Sequence, residues 1–524
     1  MKKLFLLLLT ATCVFFSCSR NEETPKSTAR VAVPSDPSTV DPRLINELNP
    51  ITIVKGLYEG LMRVDSKGLA APGIAETVHI SDDKLTYTFS LRDAKWSDGS
   101  DVTAQDFEYT WKSSLNPNFP SPNAEMLYVI KNAKEAKAGH LPLDSIGVFA
   151  PNEKTLTVTL EKPIPYFLEL TAFHAFLPIN ASLDRKNPSW ATGKPSEIVT
   201  NGPFVLAEWK HNDVTSLRKN NRYWNANDVH LEKIEFIALE ENAAMQMFHL
   251  GQLDWAGSPM SIIPPDALES LLASNQLDTA PTAGTMLLRF NTTNQLLSHP
   301  KIRQALSYAI DRKLIVDHIT YGLQTAARGL VPSQLSLQPE GFFADAQNEK
   351  AKALFLEGID ELGIVDPPTL QLAYQANERE SKIAQVLQQQ WESVLPVKIA
   401  LQSTESKIFF SNVRNFKYDI ATGSWFADIR DPINFLEMFA TAERSSNRTK
   451  WTNDEYTYLI EKIYSEDDSE RRKKLMLEAE ALLMAEMPIA PLFFFNFNYL
   501  KNPALEGVYL SDLGYLDFVK ASKG

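Results

Sequence analysis

"KLTYTFSLRDAKWSDGSDVTAQDFEYTW", residues Lys84–Trp111, changes its hydrophobic period in mid-course. Leu85, Tyr87, Phe89 and Leu91 fall on alternate positions, the signature of a half-buried strand. Asp98-Gly99 then marks a turn. Beyond it the pattern is helical, with a start at or next to Thr103, a residue type that caps orphan N–H groups. A strand, a tight turn and a capped helix within thirty residues point to an α/β protein.

The same two periods recur outward from this stretch. "TLTVTLE" (Thr155–Glu161) and "HLEKIEFIAL" (His230–Leu239) alternate as strands. The second half is richer in helix. "KIRQALSYAIDRKLIVDHI" lines Ile302, Ala305, Leu306, Ala309 and Ile310 along one stripe. "ESKIAQVLQQQWESVL" (Glu380–Leu395) and "SERRKKLMLEAEALLMAEMP" (Ser469–Pro488) behave alike, with strands "PVKIALQ" and "YDIATGS" between them. A chain of 524 residues exceeds one ordinary core. No fixed repeat or low-complexity linker divides it, so lobes that interleave in sequence are expected.

The N-terminus, "MKKLFLLLLTATCVFFSC", sets two lysines before a short apolar run, the layout of a secretory signal. Cys13 and Cys18 are the chain's two cysteines, so the body after residue 18 has no disulfide. Cys18 follows a small residue, Ser17, in a box similar to that of bacterial lipoproteins, although Phe15 replaces the usual aliphatic residue. Lipidation of Cys18 is expected; plain secretion with cleavage nearby is the alternative. Ser19–Arg30 is polar and aperiodic, a tether. Removing Lys2 and Lys3 takes the formal charge from −13 to −15, which speaks against nucleic acid as a partner. The basic cluster "ERRKK" (Glu470–Lys474) reads as a solvated helix face.

Catalytic and metal signatures are scarce. The eight histidines are scattered without paired spacing, and no Walker loop, GxGxxG or GxSxG occurs. Neither a metal site nor a cofactor is expected, and the chain reads as a binder. A secreted hydrolase and a purely structural surface lipoprotein are the rival classes.

Near the C-terminal third lies "SWFADIRDP" (Ser424–Pro432). "YDIATG" (Tyr418–Gly423) before it reads as a short strand closing on a glycine turn. Asp431-Pro432 suits a helix start over "INFLEMF". Asp428, an acid among aromatics just past a strand end, has no such local explanation.

"AETVHISDDKLTYTFSLRDAKWSDGSDVTAQDFEYTWK" (Ala75–Lys112) resembles the signature region of bacterial oligopeptide-binding lipoproteins, the family 5 solute-binding receptors of peptide ABC importers. "IVTNGPFVLAEW" (Ile198–Trp209), "LRFNTTNQLLSHPKIRQALSYAIDR" (Leu288–Arg312), "SWFADIRDPINFL" (Ser424–Leu436) and "MPIAPLFFFNFNYL" (Met487–Leu500) follow in the family's order. The resemblance implies an α/β, two-lobed periplasmic-binding-protein clamp of class II type with an extra inserted domain. Residues 1–17 would be the signal peptide and 18–30 a lipidated tether. Segments 31–56, 183–283 and 496–524 would form lobe I, 57–182 an inserted domain II, and 284–495 lobe III. The implied partners are short peptides, an ABC permease with its ATPase subunits, and the membrane through the lipid. The implied state is a monomer at the periplasmic or cell-surface face of a bacterial membrane.

The resemblance also implies a site. Asp428 holds the family position that pairs with a ligand's α-amino group. Backbone grips fall near Val33–Asp36, with Ser35 between them, and near Gly423–Phe426, which takes in Ser424 and Trp425. A tetrapeptide at roughly 3.3–3.6 Å per residue spans about 13–14 Å. Trp425, Phe426 and "LFFFNF" (Leu492–Phe497), Phe494 included, are candidate pocket walls, with ordinary strand core the equal reading for Phe493–Phe495. Arg414 stands near a family arginine, and the resemblance makes it a candidate to meet a ligand carboxylate. Thr422, Ser406 and Glu380 replace a basic residue, a tryptophan and a histidine, so the carboxylate end is altered. A murein-derived or other non-peptide ligand in the same clamp is the alternative cargo.

Overall fold

Alternating side chains do build the strand Thr86–Leu91, whose Tyr87, Phe89 and Leu91 are buried. The protein is described here from a computed structural model covering residues 27–45, 48–65 and 68–524. That strand sits in a four-stranded antiparallel sheet, between Ala75–Ile80 and Thr155–Thr159, with Val148–Asn152 outside. Gly99 adopts φ +97°, as the turn requires. The helix Ala104–Ser114 begins after Thr103, whose N–H and hydroxyl both donate to Asp106 Oδ2 at 3.0 Å. The helix lays Phe107 and Trp111, both fully buried, over this sheet's core.

The larger sheet has eleven strands and spans the molecule. One half orders Phe204–Lys210, Val214–Lys219, Lys233–Ala238, Thr28–Val33 and Trp255–Gly257. The other orders Ile399–Thr404, Leu370–Gln375 and Ile420–Phe426. Two 13-residue strands, Asp278–Phe290 and Ile489–Lys501, lie antiparallel between them and join the halves, and the two-residue strand Thr325–Ala326 pairs with the second of them off this path. Their register slips between Pro281 and Thr285, where Thr282 Oγ1 and Ala283 N donate instead to Asp512 O. The result is a two-lobed α/β clamp with the smaller sheet as an added domain.

Three local readings change. The stripe from Ile302 to Ile310 is buried throughout, but the helix breaks into Pro300–Tyr308 and Arg312–Ile319, because Asp311 caps the second by accepting from Leu314 N at 2.9 Å. Arg472 leaves the solvated face of "ERRKK" to clasp Asp431 at 2.7 and 3.0 Å. The strand Thr28–Val33 takes in Thr28–Arg30, which composition had placed in the tether; it pairs in parallel with Lys233–Ala238. The signal segment, Cys18 and Ser19–Lys26 lie outside the described residues.

Candidate functional site

Strand Ile420–Phe426 continues through Gly423 without a turn. Glycine is needed there for another reason: a Cβ at 423 would lie 1.3 Å from Arg289 Nη1. Asp419 O accepts from Asn291 N and Ala427 N donates to Ala283 O. Odd-numbered backbone groups of the strand therefore face Asp278–Phe290, and even-numbered ones face the opposite edge. On that edge Leu370–Gln375 pairs only at Ile420 and Ala421. Beyond Thr422 no strand among the described residues covers it. An uncovered edge inside a sheet offers its N–H and C=O groups to an incoming strand.

Just past this edge comes Asp428, half-buried. Its N–H donates to Asn434 Oδ1 at 3.0 Å, and the same oxygen receives Trp425 Nε1 at 3.3 Å. No lysine or arginine among the described residues reaches its carboxylate. Burial, helped by the negative charges of Glu125 and Glu437, pushes its pKa up to about 6, against a hydrogen bond from Asn434. Asp428 lines two cavities. The apolar one, of about 180 Å³, is walled by Phe426, Phe497, Phe173 and Ile51, with Lys55 also on its wall. The polar one, of about 400 Å³, lies between Trp425, Glu437 and Arg444 on one side and Glu125 and Tyr128 on the other.

The remaining candidates are placed unevenly. Phe426 is 47% exposed and stacks on Phe495 at 4.8 Å. Ser424 is exposed and Gly423 half-buried. Phe494 is sunk in the crossing strand, and Phe497 lines the cavity in its stead. Val33 is buried and its carbonyl already receives Leu239 N at 2.9 Å. The Asp36 carboxylate is held on its own lobe by Trp209 Nε1, His211 Nδ1 and Asn212 N, which leaves Pro34 and Ser35 exposed at that strand end. Arg414 ends the helix Ser406–Arg414 on the surface, close enough to Arg448 to disfavour its charge. The two altered positions Thr422 and Glu380 meet: Thr422 Oγ1 donates to the buried Glu380 carboxylate at 2.7 Å. Sequence reading missed Arg289, Glu125 and Lys55. Gly423 was the one visible hint of the first.

A clamp with an open strand edge and a lone acid beside it defines a solute-binding receptor. The chain belongs to the bacterial extracellular solute-binding proteins, family 5, whose middle-region profile matches residues 70–447. The oligopeptide-binding protein OppA of Bacillus subtilis (strain 168) is 36% identical over 531 residues, spanning 99% of this chain and 97% of its own. The unliganded open form of the periplasmic murein tripeptide binding protein MppA superposes with a TM-score of 0.83 at 29% identity, covering 95% of this chain and 98% of that one. A second structure of the Escherichia coli murein tripeptide binding protein MppA, with the same identity and coverage, gives 0.74.

Proposed function

We propose that this chain is the substrate-binding lipoprotein of an ABC importer, held by lipid at Cys18 on the periplasmic or cell-surface face of a bacterial membrane, and that it captures short peptides by closing on them. Segments 31–56, 183–283 and 496–524 act as lobe I, 57–182 as domain II and 284–495 as lobe III, turning about the two crossing strands. The peptide adds as a strand to the edge beyond Thr422, and its α-ammonium pairs with Asp428. The observation that carries this is an acid that no cation among the described residues reaches, beside a strand edge that no described strand fills. Its charge is costly until a guest supplies the opposite one. The oligopeptide- and murein-peptide-binding names of the relatives support the same cargo class.

The test is calorimetry with tetrapeptides in free-amine and N-acetylated form. Free-amine peptides should bind and N-acetylated ones should fall well behind; binding of sugars or other non-peptides alone would overturn the proposal. Binding needs the Asp428 carboxylate, which takes up a proton as pH falls through about 6. Affinity for free-amine peptides should therefore drop about tenfold between pH 7 and pH 5, and that of N-acetylated peptides should stay flat. Cys18→Ser should move the protein from the membrane to the soluble fraction. Unchanged partition on fractionation would refute lipid attachment.

A further inference from the structure

At the far end of the open edge from Asp428, the guanidinium of Arg289 crosses over Gly423. It donates to Thr422 O at 3.1 Å and to Ser424 O at 3.3 Å. Both are even-numbered carbonyls, so Arg289 reaches past its own neighbouring strand to the edge where a guest strand would lie. Among the described residues these are the guanidinium's only hydrogen bonds, and both go to neutral oxygens. No carboxylate among the described residues lies within salt-bridge distance of Arg289, and the same holds for Arg448 and Arg414. Glu380 is the nearest acid charge, but its oxygens are taken by Thr422 Oγ1, Gln375 N and Gln375 Nε2. Burial and the neighbouring Arg448 cation disfavour the Arg289 charge, while Tyr418 and Glu380 favour it.

A guanidinium spends five donors best on a carboxylate, which it can grip with two parallel hydrogen bonds. We infer that Arg289 receives the α-carboxylate of the bound peptide at the open edge of Ile420–Phe426, so that the guest runs antiparallel to that strand and is measured between Asp428 and Arg289. From Ser424 to Asp428 is four residue steps, about 13–14 Å at roughly 3.3–3.4 Å each, the span of about four extended residues. Arg289 supplies from the crossing strand the positive charge that Thr422 does not supply from its own. Longer peptides would have to carry their carboxylate beyond this cation, and C-terminal amides would leave it unsatisfied. The inference rests on the peptide reading above.

A randomised tetrapeptide library tests it, prepared as free acids, as C-terminal amides and as N-acetylated acids, with the fraction retained by the protein measured by mass spectrometry. Wild type should retain free acids about tenfold over amides, the worth of a charge-assisted hydrogen bond. In Arg289→Gln this ratio should fall to near one, with amide retention unchanged. Gly423→Ala should likewise lower the ratio of acids to amides with the arginine intact, because the new methyl group displaces the guanidinium. Variants that lose acids and amides alike, or that keep the wild-type ratio, would overturn the assignment. A wild type that prefers free amines over N-acetylated peptides but ignores the C-terminus would overturn it alone. A wild type that retains no form would overturn the peptide reading with it.

Discussion

Replacing Asp428 with asparagine is expected to weaken binding of free-amine tetrapeptides about a hundredfold, with N-acetylated peptides nearly unaffected, and to stabilise the unliganded protein. Truncating one partner of a desolvated charge pair typically costs about 2–5 kcal/mol, and each 1.4 kcal/mol is tenfold. Asparagine keeps the shape and the hydrogen bond to Asn434 but offers no charge to an ammonium. The gain in apo stability follows from linkage. The folded pKa of about 6 lies above the ordinary value of 3.8, so the folded state binds the extra proton between those values. Stability of the apo protein is thus lost as pH rises through 6, and at neutral pH the charged carboxylate costs about 1–3 kcal/mol. A thermal midpoint for Asp428→Asn above that of wild type at pH 7.5, converging with it near pH 4, checks this half by calorimetry. Equal affinity losses for free and N-acetylated peptides would remove the amine-anchor role.

Legibility in the sequence follows the range of the force involved. Period-two and period-3.6 burial is local, so Tyr87, Phe89 and Leu91, or Ile302 through Ile310, could be placed on their faces from spacing alone. Capping is local too, which is why Thr103 and Asp431 were readable; Asp431 Oδ1 does accept from Ile433 N at 2.9 Å. Gly423 was misread because its reason is a guanidinium from residue 289, far away in sequence. Arg472 was misread because a helix face tells which residues cluster, not that Asp431 waits opposite one of them. Val33 and Asp36 share that fate: what occupies their polar groups comes from Leu239, Trp209, His211 and Asn212. Of the site, Asp428 stood out as an acid that no local rule explained, and only the fold shows the open edge and the Arg289 guanidinium beside it.

Arg43→Met is expected to destabilise the protein by about 3–5 kcal/mol and to lower its thermal midpoint sharply. Arg43 is 4% exposed and sits between two buried acids: Nη2 donates to Asp41 Oδ2 at 2.6 Å and to Asp184 Oδ1 at 2.8 Å. Nη1 also donates to Ser113 Oγ on the helix of the added domain, at 2.9 Å. Tyr109 and Trp190 complete the shell of Asp184, at 2.7 and 2.9 Å. The network thereby ties the segment just after the exposed Pro34–Ser35 end to the added domain. Methionine fills much of the volume but strands two carboxylates in a low-dielectric site, the costliest way to break a buried pair. Desolvation raises the Asp184 pKa, but Arg43 and the other donors outweigh it and hold it below the ordinary value. The wild-type advantage should therefore be full above the unfolded pKa near 3.9 and shrink as pH falls through the folded one. A denaturant midpoint unchanged from wild type at pH 7.5 would show that the buried Asp41–Arg43–Asp184 cluster does not carry this stability.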